Sequence, residues 1–281
     1  MRTVHTAAEL RAAVSGWRQA GERVAFVPTM GNLHRGHLEL ISRAKRAADR
    51  TVASVFVNPL QFVAGEDFDK YPRTLTQDQA GLEKAHCDLL FAPPAKEIYP
   101  RGMKDLTQVS VPELSTILCG HFRPGHFEGV ATVVNILFNL VQPDVALFGE
   151  KDYQQLQTIR RMVADLHLPL AIIGVATERE PDGLALSSRN QYLSKDERQR
   201  APVLNQVLQQ IAERLQQGAR DYAQIQSDAM RELERQGFKP QYVEVRTAEL
   251  ALPAADTREW VVLAAAHLGS TRLIDNIKIK S

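Results

Sequence analysis

A chain of 281 residues with 44% hydrophobic and 24% charged residues has the balance of a folded globular protein, which excludes disordered, fibrous and disulfide-stapled classes. Lys and Arg number 34 against 33 Asp and Glu, a formal charge of +1 spread along the sequence, so no basic face for nucleic acid is expected. No apolar stretch approaches the roughly 18 residues of a membrane span, the opening MRTVHTAAELRAAV lacks a signal-peptide core, and Cys87 and Cys119 show no metal spacing. The expectation is a cytoplasmic protein with reduced, buried thiols.

Thr6 followed by Glu9 forms a capping box, and Leu10, Val14 and Trp17 then share one face, which predicts a helix over 6–20. Short unalternating apolar runs follow at VAFVP (24–28), TVASVFV (51–57), DLLFAP (88–93), DVALFG (144–149) and LAIIGVAT (170–177). Such runs are the signature of parallel strands covered on both faces. Between them Leu38, Ile41, Ala44 and Ala48 recur at helical spacing, as do Leu82 and Ala85, then Val130, Val134, Leu137 and Val141, and finally Leu156, Ile159 and Val163. Strand alternating with helix predicts a Rossmann-like, doubly wound α/β sheet over 1–178, with ligands expected at the carboxyl ends of its strands.

Beyond residue 178 the pattern changes. SKDERQRAPVLNQVLQQIAERLQQG and DYAQIQSDAMRELERQG read as two helices ended by Gly218 and Gly237, and three strand-like segments, QYVEVRTAEL, EWVVLAAAHL and TRLIDNIKIK, close the chain. Helices grouped before strands predict a smaller α+β domain over 179–281.

Four polar segments fall at predicted strand ends. In PTMGNLHRGHLELI, His34 and His37 lie where a helix begins, so their imidazoles and the helix dipole face the same place and suit an anion such as a transferring phosphate. A two-histidine metal site and plain packing are the alternatives. In FVNPLQF, Asn58 and Gln61 could hold a hydroxyl or carboxylate beside the wall of Phe62. In FGEKDYQQL, Lys151 stands at a helix start, where the dipole disfavours a cation unless an anionic ligand is present, and Asp152 suits either an N-cap or a ribose. In DGLALSSRNQYLS, Ser187, Ser188 and Arg189 offer two hydroxyls and a guanidinium for polyphosphate. No Walker loop, no G-x-G-x-x-G and no nucleophile paired to a base is present, so the residues favour nucleotidyl transfer by positioning and electrostatics. A nucleotidylyltransferase with a phosphate acceptor and a nucleotide-binding module without turnover remain compatible with these segments taken alone.

In order, PTMGNLHRGHLELI, NPLQF, RPGHFEGVATVV, FGEKDYQQL and DGLALSSRN closely resemble the pantoate–β-alanine ligase (pantothenate synthetase) family over essentially the whole chain. The resemblance implies a class I aminoacyl-tRNA synthetase/nucleotidylyltransferase type of fold, a cytoplasmic homodimer, and Mg²⁺-dependent use of ATP to couple (R)-pantoate to β-alanine through pantoyl adenylate. Carried over by position, it implies an ATP cradle from Met30 through Gly31, Asn32, Leu33, His34, Arg35 and Gly36 to His37, with His34, His37 and Lys151 catalytic. Gly149, Glu150, Lys151 and Asp152 are implied as an ATP loop, joined by Glu178, Leu186, Ser187, Ser188 and Arg189. Asn58, Gln61, Phe62, Val133, Val134 and Gln155 are implied around pantoate, and Asp78 near the metal. Two positions depart from the family pattern: Glu178 stands where an apolar residue is expected, and Gln77 where some members carry a second Asp beside Asp78.

Overall fold

A computed structural model describes residues 1–280. Its first strand, β1 (Arg2–Val4), is followed by α1 (Ala7–Gln19), β2 (Val24–Thr29), α2 (Arg35–Ala47) and β3 (Arg50–Val55). Then come α3 (Leu75–Lys84), β4 (Leu89–Phe91), three short helices, α4 (Ala95–Ile98), α5 (Pro112–Thr116) and α6 (Cys119–Phe122), and the long α7 (His126–Val141). β5 (Val145–Gly149), α8 (Tyr153–Asp165) and β6 (Ala171–Val175) complete a six-stranded sheet in the order β1-β4-β3-β2-β5-β6, every paired neighbour parallel.

The sequence explains this sheet. Val24 to Val27 are wholly buried, as a strand with helices on both faces must be, and Leu40, Ile41 and Ala44 of α2 join Ala25, Val27 and Leu147 in one core. The strand order reverses at β2, which pairs with β3 on one side and β5 on the other. In doubly wound sheets this switch point opens a crevice beyond the carboxyl ends of the strands. β1 is absent from the sequence reading: three residues at an edge give no periodicity, and the strand forms because Arg2 to Val4 find Leu89 to Phe91 as partners.

The remainder holds α9 (Lys195–Arg200), α10 (Val203–Gln216), α11 (Tyr222–Arg235) and an antiparallel sheet of β7 (Phe238–Arg246), β8 (Glu259–Leu268) and β9 (Thr271–Lys280). The single helix expected over 194–218 is two, because Pro202 has no N–H to continue the first. Gly218 and Gly237 follow α10 and α11 with φ of +95° and +82°. Leu208, Ile211 and Leu215 of α10 and Ile225 and Leu233 of α11 pack on Trp260, Val262 and Ala264 of β8. The chain divides into two compact units, one of residues 1–150 and 155–176, the other of residues 151–154 and 177–281. The second unit thus takes four residues from the middle of the first unit's sequence.

Candidate active site

In the first unit, β2 ends at Thr29 and the chain turns through Gly31 (φ +81°) and Asn32 (φ +51°) before α2 begins. A side chain on Gly31 would lie 2.9 Å from both Asp78 Oδ2 and Val55 Cγ1, so only glycine combines this backbone with so close a carboxylate. Asp78, 2% exposed on α3, accepts from the backbone N–H of Asn32 (3.1 Å) and of Leu33 (2.8 Å), and from the Thr74 hydroxyl (3.2 Å). Both its oxygens are turned onto the loop. These three bonds make Asp78 a brace for the loop that leads into α2.

His34 is the N-cap of α2, its Nδ1 accepting from the Gly36 N–H at 3.2 Å, while the His34 N–H donates to Nδ1 of His37 at 3.3 Å. This is a capping box built from two imidazoles in place of the usual hydroxyl and carboxylate. Because each Nδ1 accepts, each neutral ring carries its proton on Nε2. The rings lie 4.1 Å apart, and the first turn of α2 contains no acid. Two imidazoles and a helix N-terminus therefore lie together at the end of β2, a set of groups chemically suited to an anion.

Next to it, beyond β3, Asn58 caps a 3-10 turn over Pro59–Gln61. Asn58 is 1% exposed: its Oδ1 accepts from Leu60 N–H (3.2 Å) and the Tyr99 hydroxyl (2.6 Å), and its Nδ2 donates to Gln61 Oε1 (3.2 Å) and Gly129 O (3.1 Å). Those four bonds occupy the amide, so Asn58 orients Gln61 while Gln61 reaches the Met30 sulfur at 3.0 Å. Tyr99 is buried and its hydroxyl pKa is raised by desolvation, which keeps it a donor. A side chain at Gly129 of α7 would collide with the Leu60 carbonyl, so the turn rests directly on that helix, on which Val133 and Val134 are also buried. From the other side the Gln61 carbonyl lies 2.6 Å from His126 Nδ1 and accepts from Arg123, which also grips Glu66 with two bonds. Phe62 packs edge-on against Phe68 and Tyr71.

β5 ends at Gly149, and Glu150–Asp152 form a 3-10 turn into α8, where Gln155 is half-buried. In the second unit Lys151 and Ser187 line one small cavity with Asn190, Asn205 and Asp275. Lys151 Nζ stands 4.0 Å from the exposed carboxylate of Asp152. Glu178 gives its backbone carbonyl to the Leu186 N–H (2.9 Å), which closes a tight loop. At its end Ser187 Oγ accepts from Arg189 N–H, capping the 3-10 turn that carries Ser188 and Arg189. Behind them lies a knot that sequence reasoning missed: Arg179 grips Asp275 with two bonds (2.7 and 2.8 Å), and Asn205 Nδ2 adds a third (3.1 Å). Its only sequence signal is an Asp and an Asn inside an otherwise strand-like final segment.

A model of the pantoate–beta-alanine ligase family matches residues 2–278. The pantothenate synthetase of Ectopseudomonas mendocina (strain ymp) is 59% identical over 281 residues, covering 100% of this chain and 99% of that protein. That of Pseudomonas entomophila (strain L48) is also 59% identical, covering 99% of this chain and 97% of its own. Among solved structures, the pantothenate synthetase of Thermus thermophilus superimposes with a TM-score of 0.92 at 49% identity over 100% of both chains. The pantoate–beta-alanine ligase of Francisella tularensis, complexed with beta-gamma ATP and beta-alanine, gives 0.84 at 33% identity, over 99% of this chain and 97% of its own. Two histidines fixed at a helix start with a glutamine turn beside them, and in the second unit a lysine and a Ser-Ser-Arg loop, thus occur in a chain that belongs to the pantoate–β-alanine ligase family.

Proposed function

We propose that this chain joins (R)-pantoate to β-alanine at the expense of ATP through a pantoyl adenylate, in the manner its family membership and its loop chemistry support. A pantoate carboxylate oxygen attacks the α-phosphorus of ATP, the bond to the bridging oxygen breaks, and diphosphate leaves. The β-alanine amine then attacks the acyl carbon, AMP departs with the bonding pair, and the amine gives up a proton. The observation that carries this reading is the imidazole capping box at the end of β2, in which both Nδ1 atoms accept main-chain N–H groups, so that Nε2 is the donor atom of each neutral ring. Of the thiols, both are buried, and burial pushes that of Cys87 up to about 11.

In this reading His34 and His37, with the backbone from Met30 to Gly36, stabilise charge on the phosphates, Lys151 and Ser187–Arg189 neutralise it, and Asp152 binds the ribose. Gln61 and Gln155 hold pantoate beside Phe62, Val133 and Val134, and Asn58 positions Gln61. Glu178 contributes through its main chain. Mg²⁺, when bound with ATP, would offset part of the phosphate charge, and Asp78 braces the Asn32–Leu33 loop on which the two histidines follow. The reading also includes a cytoplasmic homodimer; among the described residues no helix is long and apolar enough to cross a membrane. Its test is exchange of labelled diphosphate into ATP. Exchange should require pantoate and proceed without β-alanine, and His37→Ala should lower it by about 10² to 10³. Exchange independent of pantoate would overturn the adenylate.

A further inference from the structure

Lys151 follows β5 directly, yet Lys151–Gln154 pack with the second unit. Two bonds tie that segment down there: Asn276 Nδ2 of β9 donates to the Lys151 carbonyl at 2.9 Å, and the buried Tyr153 hydroxyl donates to the Ala248 carbonyl at 2.9 Å. Asn276 is itself 7% exposed and sits beside the ion pair, since Arg179 donates to its carbonyl (3.2 Å) and its own N–H donates to Asp275 Oδ1 (2.7 Å). Asp275, Lys151 and Ser187 line the same cavity. The backbone of a phosphate-binding lysine is thereby fixed by the strand whose carboxylate pairs with the root of the Ser-Ser-Arg loop.

We propose that Asn276 is a positioning residue for adenylate formation: it fixes the backbone of Lys151 so that the ammonium acts together with Ser187–Arg189. The inference rests on the phosphate role given to Lys151 above. A misplacement of about 1 Å in such a group costs on the order of a hundredfold in rate, an effect on exchange by folded enzyme that is separate from the stability lost with one neutral hydrogen bond. The effect of Asn276 must then run through Lys151 and vanish when Lys151 is absent.

The experiment is pantoate-dependent diphosphate exchange with the full chain as wild type, Asn276→Ala, Lys151→Ala and the double variant. Asn276→Ala should slow exchange at saturating substrates by about ten- to a hundredfold and leave the KM for pantoate unchanged. In the Lys151→Ala background the same change should have no further effect. Losses that multiply, an unaltered rate in Asn276→Ala, or a shifted pantoate KM would each overturn the inference while leaving the site reading intact. Wild-type exchange by Lys151→Ala would remove the site reading, and the inference with it. Should Asn276→Ala fail to fold, Tyr153→Phe loosens the same segment from its other end; its smaller loss must likewise disappear without Lys151, and a loss that persists overturns the proposal.

Discussion

Asp78 and Asp275 are both buried carboxylates, 2% and 4% exposed, each behind a loop proposed above to bind phosphate, yet they are satisfied in opposite ways. Asp78 meets only neutral donors: two main-chain N–H groups and the Thr74 hydroxyl. Asp275 meets a guanidinium, with an amide and a main-chain N–H completing its shell. The first arrangement ties a carboxylate to the backbone it positions, so its geometry passes directly to His34. The second spends half of the carboxylate's four bonds on Arg179, a side chain 25% exposed, so its contribution is chiefly to hold the second unit together.

Removing either carboxylate separates the two roles. Asp275→Ala leaves a guanidinium without its partner, and breaking a buried pair costs about 3 to 5 kcal/mol; the partial exposure of Arg179 places this one near the lower figure. Urea denaturation should show that loss, with diphosphate exchange per folded molecule reduced much less than stability. Asp78→Asn keeps the shape but turns an N–H toward a backbone N–H, which costs about 1 to 3 kcal/mol. Here exchange should fall by at least about tenfold with the Mg²⁺ concentration for half-maximal rate unmoved. A raised Mg²⁺ requirement would return Asp78 to the metal and end the contrast.

A smaller change sharpens the same point at the glutamine turn. Tyr99→Phe removes one of the two bonds to Asn58 Oδ1 and leaves Leu60 N–H as the other. The loss is about 1 kcal/mol, equivalent to roughly a fivefold rise in KM for pantoate, with KM for ATP unaltered. Equal rises for both substrates would show that Tyr99 supports the fold and not Gln61.

These residues also mark where the sequence stops being legible. The parallel sheet and the ends of its strands were readable because unalternating apolar runs mark burial on both faces; β6 departs from this, since at the sheet edge its Ala171 and Ile173 are exposed. Lys151 stood out because a cation at a helix start conflicts with the dipole unless an anionic ligand is present, and the histidines because their spacing at a helix start suits an anion. Tyr99 and Arg179 gave no local sign, and Asn276 only that of a polar residue in a strand-like segment: their partners lie 41, 96 and 125 residues away, and only folding brings them together. Asp78 and Asn58 were visible as polar residues near the right loops, but direction was not. A carboxylate turned onto main-chain N–H groups and one turned toward a ligand have the same sequence.

The smallest test moves to the sheet of the second unit, where three basic side chains share one cross-strand row. Lys239 of β7, His267 of β8 and Arg272 of β9 stand in register side by side. Burial, then Arg272 and Lys239, lower the His267 pKa below its ordinary 6.5. A base whose folded pKa is depressed is protonated first in the unfolded chain, so stability falls as pH drops through about 6.5 and levels off below the folded value. His267→Gln removes that proton. Its stability should differ from wild type by no more than about 0.5 kcal/mol near pH 8, then decline less steeply than wild type between pH 7 and 5, as read by thermal denaturation. Parallel curves would mean that His267 titrates alike folded and unfolded, and that the basic row imposes no electrostatic cost on the sheet.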